Sequence, residues 1–390
     1  MKLIQKVTGA LMLSVALVAC QKDKIVDDII TKSESNAEEL ATEHSRNNSV
    51  YGSGFVYTLS NQKMRNEVLA YRRSSDGVLK YSASYATDGK GSGGGLGNQG
   101  AIILTEDKEV LLAVNAGSNS ISSFKINGNL LQLKSTVHSR GIQPVSIAQH
   151  GKLVYVLNAG GKGNIAGFWL GENDKLIPIS GTVRPLSSTA AGAAQISFVR
   201  DGRVLVITEK ATNKIITYTV NEWGRPDVMQ SKLAASPTPF GFAVGKFGNI
   251  FVSEAVGGAA NASNVSSYKI HHNGSIQLIK GPVSTTQTAA CWVVVTENGR
   301  HIFTTNTASN TISSYNLSGS FGQINLLQPV AATTGTGPID AALSDNSKFL
   351  FVLNGASQSI SSFSVDNDGR LATISTLSGL PVGANGLAAN

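Results

Sequence analysis

Two carboxylates interrupt a row of asparagines. A short apolar run recurs seven times in the 390-residue chain, and its last residues are Thr58, Asn115, Asn158, Glu209, Glu254, Asn306 and Asn354. Asparagine is a turn-friendly choice where a strand stops; glutamate is not. Acids at equivalent points of neighbouring repeats raise one another's pKa if they share a rim, and a raised carboxylate can act as a general base. Lys210 follows Glu209 directly and would stabilise an oxyanion. Glu209, Lys210 and Glu254 are therefore the candidate catalytic set. A competing reading pairs each acid with a base, such as Lys210 or Arg184, in a structural bridge, because ion-pair networks also perturb pKa values. A second set of residues precedes the strand before each run: Gln99-Gly100, Gln143-Pro144, Ala194-Gln195, Phe240-Gly241, Ala290-Cys291 and Pro338-Ile339-Asp340. From both sets, Gln99, Asn115, Asn158, Gln195 and Asp340 are the candidate substrate-binding residues.

The elements that must position these residues follow from the repeat. Its clearest copy is Leu111-Leu-Ala-Val-Asn-Ala-Gly-Ser-Asn-Ser-Ile-Ser-Ser-Phe124, and successive copies lie 43 to 57 residues apart. A period of that length, built of short strands, marks a β-propeller. Each unit reads as four strands. A first apolar strand turns at a polar hairpin such as Arg200-Asp-Gly-Arg203 or Glu297-Asn-Gly-Arg300 into the repeated run. Asp-Gly and Asn-Gly tolerate the positive φ of tight primed turns. A small-residue loop leads to an alternating third strand, and a rim strand follows. The expected fold is all-β: a seven-bladed propeller of four-stranded blades. In that geometry the first strand begins, and the second ends, on the same face, so the two candidate sets converge around the central channel. Phe55–Leu59 reads as a second strand with no first strand before it. The C-terminal stretch Leu380–Ala388 resembles an inner-strand lead-in, so the expectation is that it closes the ring by completing the first blade.

Residues 1–19 have lysines at 2 and 6 and a short apolar core, as in a secretory signal. They end in Leu17-Val-Ala-Cys20, which is similar to a bacterial lipobox, so Cys20 is the expected lipidation site. Residues 20–50 then form an acidic tether, and 51–390 the propeller. The expected location is the bacterial cell envelope. Gln21 is not the aspartate that marks inner-membrane retention, which favours the outer membrane. The other cysteine, Cys291, has no partner in the mature chain and reads as a small buried hydrophobe.

The chain carries a net charge of +7. Without the two signal lysines and the tether (four basic, seven acidic residues), the propeller carries +8. A basic propeller favours anionic ligands, although scattered surface lysines give the same sum. No basic stripe with interleaved aromatics points to nucleic acid. Gly95-Leu-Gly-Asn-Gln-Gly100 matches G-x-G-x-x-G, but a strand follows it where the dinucleotide fingerprint needs a helix. It reads instead as a loop on the propeller face. The six histidines show no metal spacing. The expectation is a monomer without cofactor or metal, touching the membrane only through its anchor. Its partner would be a small anionic or lactone ligand, or an envelope protein or glycan.

The repeats, the Asp-Gly-Arg hairpins and the stretches Leu96–Gly100, Leu153–Gly160, Thr208–Lys214, Pro239–Phe242, Ser253–Ala255 and Ala290–Trp292 resemble the lactonase-like seven-bladed propellers. That family includes 6-phosphogluconolactonase and the 3-carboxy-cis,cis-muconate lactonizing enzyme. The resemblance covers about residues 50–390 and is nearest to a secreted branch. It implies a hydrolase or cyclase acting on a lactone or carboxylated ring, with Glu209 activating water or abstracting a proton. Members with established activity carry an Arg-His pair where this chain has Ala194 and Gln195, and an Arg where it has Glu254. Ser146 replaces a histidine one blade earlier, while Glu209 matches the family glutamate. These departures keep open a second reading, a non-catalytic propeller that binds a ligand or protein at its rim.

Overall fold

The computed structural model describes residues 52–319 and 322–390; the signal segment, Cys20 and the tether lie outside the described residues. Seven antiparallel sheets follow one another along the chain. Their inner strands are Asn385–Ala389 (blade 1), Ile102–Leu104, Ile142–His150, Ala193–Val199, Pro239–Val244, Ala290–Val295 and Pro338–Leu343 (blade 7). Each inner strand touches the next, and the circuit closes from blade 7 through blade 1 to blade 2. The seven-bladed propeller expected from the repeat is the fold.

Ring closure is also as expected. Asn385–Ala389 pairs antiparallel with Gly54–Leu59, with Tyr57 opposite Ala388 and Leu59 opposite Asn385. That register places Leu59, rather than Thr58, at the point occupied by Asn115 and its equivalents. The slip in the sequence reading has a simple cause, since no polar residue marks the end of that strand. Blade 3 departs from the plan because its rim strand is split into Leu176–Pro178 and Arg184–Pro185. Between them Thr182 turns inward and its Oγ1 accepts the Gly167 N–H.

Two features of the repeat build the core. The second strands are buried along their whole length, as in Val110–Asn115 and Phe349–Asn354, which explains their unbroken apolar runs. Each third strand contributes one buried aromatic: Tyr71, Phe124, Phe168, Tyr218, Tyr268, Tyr315 and Phe363. Burying each such ring contributes roughly 1.5–3 kcal/mol. Several tyrosines also latch backwards, with the Tyr315 hydroxyl donating to Val283 O in the preceding blade.

A third feature aims side chains at the channel. The inner strands of blades 3, 4, 5, 6 and 7 each slip register beside the end of the second strand, for example between Ala193 and Gln195 and between Pro338 and Asp340. Such bulges re-aim the extra residue. They turn Ser146, Gln195 and Asp340 toward the next blade. Deleting residues 379–390 strips the second strand of blade 1 of its inner partner. The expected outcome is loss of a cooperative thermal transition in calorimetry; an unchanged melting temperature would refute this closure.

Candidate functional site

The strand-end residues are corner pieces. Asn115 is fully buried; its Nδ2 donates to Ser122 Oγ at 2.8 Å and its Oδ1 accepts from Asn66 Nδ2 at 3.0 Å. Asn158, also buried, donates to Ser139 O and Asn164 Oδ1. Asn306 and Asn354 bond to hydroxyls of their own third strands in the same way. The two glutamates occupy the same corners. Glu209, 0 % exposed, accepts from the Ser187 amide and hydroxyl and from the Thr212 hydroxyl. Glu254, also 0 % exposed, accepts from Ser236 N, Tyr268 Oη at 2.9 Å and Ser266 Oγ at 2.7 Å. Neither forms the ion pair weighed from sequence: Arg184 donates to backbone carbonyls, including Pro226 O. The Glu254 carboxyl is pushed up to about 7, and the cause is burial, only partly offset by its donors.

The inner rim sets a different problem. Inner strands present unpaired N–H and C=O groups to the channel, and buried backbone groups need partners. Here a side chain of blades 3, 4 and 7 caps the blade that follows. Ser146 Oγ accepts the Ile196 N–H. Gln195 behaves like a backbone amide, accepting from Phe242 N at 2.6 Å and donating to Phe242 O at 2.9 Å. Asp340 accepts the N–H groups of Ala341 and Leu387, so it ties blade 7 to the closing strand. Fully buried without a cation, its carboxyl sits well above the ordinary range.

Blade 5 breaks this chain of caps because its equivalent residue is Gly241. The missing amide arrives from the opposite side. Gln99, ahead of the blade 2 inner strand, accepts from Val293 N at 3.3 Å and donates to Val293 O at 2.9 Å in blade 6. A Cβ on Gly241 would lie 2.2 Å from Gln99 Oε1, so the glycine makes room for this crossing. The same segment is held by Gln99 N to Ala194 O, by Asn98 Nδ2 to Val145 O, and by Trp292 Nε1 to Asn98 O at 2.6 Å. Residues 97–99 thus reach across the channel to blades 3, 4 and 6. The loop read from sequence as lying on the face is a plug.

Of the candidate catalytic set, Lys210 is the member at this plug. Its Nζ donates to Gly97 O and, at 3.4 Å, to Ala193 O, and stands 4.6 Å from the centre of the Phe240 ring. Phe240 packs on Trp292 with ring centres 5.0 Å apart. Among the described residues no carboxylate lies within ion-pair distance of Lys210. Burial pushes its ammonium down to about 8, against a small opposing effect of Cys291. A Cβ on Gly97 would meet only Lys210 Nζ and the Phe240 ring within 4 Å. Cys291 is buried in the apolar cluster beside it, as expected, and its thiol is pushed up to about 11.

Residues 260–386 match the family model described as lactonase, 7-bladed β-propeller. Over that stretch the propeller is similar to the lactonase family. Its fold is shared with a candidate 6-phosphogluconolactonase from Bacteroides fragilis (15% identity, TM-score 0.69, covering 88% of this chain and 99% of that one). It is also shared with the periplasmic gluconolactonase of Pseudomonas aeruginosa (15% identity, TM-score 0.68, 86% and 99%). A Lactobacillus plantarum protein is similar at 17% identity and TM-score 0.68, covering 87% and 99%. No curated protein matches the chain.

Within this propeller the departures from the family pattern have local uses. Gln195 caps an inner edge and Glu254 caps a corner. Phe240, Trp292 and Asn98 lie in stretches the sequence brought to notice but were not among the candidate site residues. The signal for Trp292 was its register, since it occupies the blade 6 position equivalent to Gln195 and Asp340.

Two outcomes are expected. Gln99→Leu strands the Val293 N–H and C=O, at a cost of about 1–3 kcal/mol per group, read by denaturant unfolding. For Glu254, the folded value of about 7 exceeds its ordinary 4.5. The folded chain therefore holds a proton that the unfolded chain has already released. Stability is full below about pH 4.5 and falls as pH rises to about 7, by roughly 3 kcal/mol. Glu254→Gln should flatten that part of the pH–melting curve; an unaltered slope would place the titration elsewhere.

Proposed function

We propose that the protein is a hydrolase of small lactones, of the 6-phosphogluconolactonase type, acting at the mouth around Lys210 and held in the bacterial envelope through Cys20. The observation that supports it is the Lys210 amine: half-buried, without a carboxylate at ion-pair distance among the described residues, and set against the Phe240 ring. Lactone hydrolysis needs water delivered to an acyl carbon and a proton returned to the departing ring oxygen. With a pKa of about 8, Lys210 is partly neutral near physiological pH and serves as the general base. It takes a proton from water as the new C–O bond forms, then gives it to the alkoxide when the acyl–oxygen bond breaks, leaving a hydroxy acid. Phe240 and Trp292, both buried, form the apolar backing on which the Lys210 amine rests.

Glu209 enters this scheme through position. Its carboxylate has no exposed surface, so it reaches no water; it holds Thr212 and Ser187, and hence the corner that carries Lys210. The second reading, a non-catalytic binding scaffold, is favoured by one observation: the plug occupies the channel, so the mouth before Lys210 backs onto it.

The deciding experiment assays sugar-derived, muconate-type and acyl-homoserine lactones with protein lacking residues 1–20. Turnover should rise with pH to a plateau above about 8, and Lys210→Met should lower kcat by about 10²–10⁴-fold. Lys210→Arg, always charged, should fail as well. Absence of turnover by folded protein leaves the scaffold reading.

A further inference from the structure

The connections on the two faces of the ring differ in charge. On the upper face, which carries the lead-ins and the ends of the second strands, the connecting segments hold six basic residues and one acid, Asp88. On the lower face the hairpins hold ten basic and twelve acidic residues. The upper bases are Lys63, Arg65, Lys90, Arg140, Lys162 and Lys210, and all but Lys210 are exposed. They belong to four consecutive blades, 1 to 4. The upper connections inside blades 5 to 7, and those joining blades 4 to 7 and blade 7 to the closing strand, hold no ionisable side chain and are rich in Ser, Thr, Asn and Gly. Arg65, Asp88, Lys90 and Ser118 also line a depression of about 570 Å³ between blades 1 and 2.

We propose that this arc is the docking surface for an acidic polysaccharide, a chain of uronic-acid sugars lying from blade 1 toward the Lys210 mouth. Like-signed charges over four blades match a linear polyanion better than one small anion, because each added contact falls on a further ligand charge. The neutral hydroxyl- and amide-bearing half suits the uncharged hydroxyls of the same ligand. The large exposed apolar side chains on this face, Met64, Ile142, Leu233 and Val382, come from separate segments and none is aromatic. The surface therefore offers neither a stacking platform for bases nor an amphipathic wedge for a bilayer. The inference does not rest on the lactone reading.

The test is titration calorimetry with hexagalacturonate, with maltohexaose as the neutral control. The triple variant Lys63→Gln/Arg65→Gln/Lys90→Gln is compared with a lower-face variant of equal charge change, Lys152→Gln/Arg203→Gln/Lys246→Gln. All six side chains are exposed, and circular dichroism checks each fold. The wild type should bind the uronate and not maltohexaose. Binding should weaken at least about tenfold in the upper variant and under about twofold in the lower one, with a shallower salt dependence only in the former. Equal losses in both variants, equal binding of the neutral sugar, or no uronate binding would overturn the proposal. Tighter, arc-dependent binding to phosphatidylglycerol vesicles would assign the surface to membranes instead and overturn it as well.

Discussion

A closed ring of blades leaves one set of backbone groups without natural partners: the channel-facing edges of seven inner strands. Pairing within a blade satisfies only the other edge. The chain solves this by letting one blade's side chain stand in for a missing strand. Gln195 does so most completely, because a primary amide carries the donor and acceptor that a backbone edge lacks. Where the local cap is lost, at Gly241, the amide comes from Gln99 of blade 2, and that route crosses the axis. The plug is thus a consequence of edge satisfaction.

The same need explains why polar residues recur where they do. Strand-end corners require an acceptor or amide to hold the turn, and Asn supplies it in four blades. In blades 4 and 5 a Glu reaches farther, to Ser187 and to Tyr268 respectively. Seen as sequence, two acids among asparagines look like a catalytic pair, because residue type alone does not tell a cap from a base. Burial does, since both carboxylates sit at zero exposure with three donors each.

What was legible in the chain was local. The apolar runs, the Asp-Gly and Asn-Gly hairpins and the small-residue loops each lie within one blade, so the architecture and blade number followed from them. Closure followed too, because Phe55–Leu59 lacked a partner and residues 380–388 had the look of one. The site was less legible, as its contacts join positions far apart: Gln99 with Val293, Trp292 with Asn98, Lys210 with Gly97. No periodicity encodes such pairs. Lys210 was selected for its neighbour Glu209, yet its surroundings come from blades 2, 5 and 6.

Those surroundings also bear on what a lysine can do there. Carbonyl oxygens and an aromatic face stabilise an ammonium, but without a full counter-charge they do not restore what burial removes, so its pKa falls. A carboxylate partner in the mouth would have kept the amine charged and inert. The two acids nearest in sequence and blade order are instead drawn into their corners by hydroxyl and amide donors. Corner capping therefore has a chemical effect at the axis: it withholds negative charge from the mouth and leaves one amine there with an accessible neutral form.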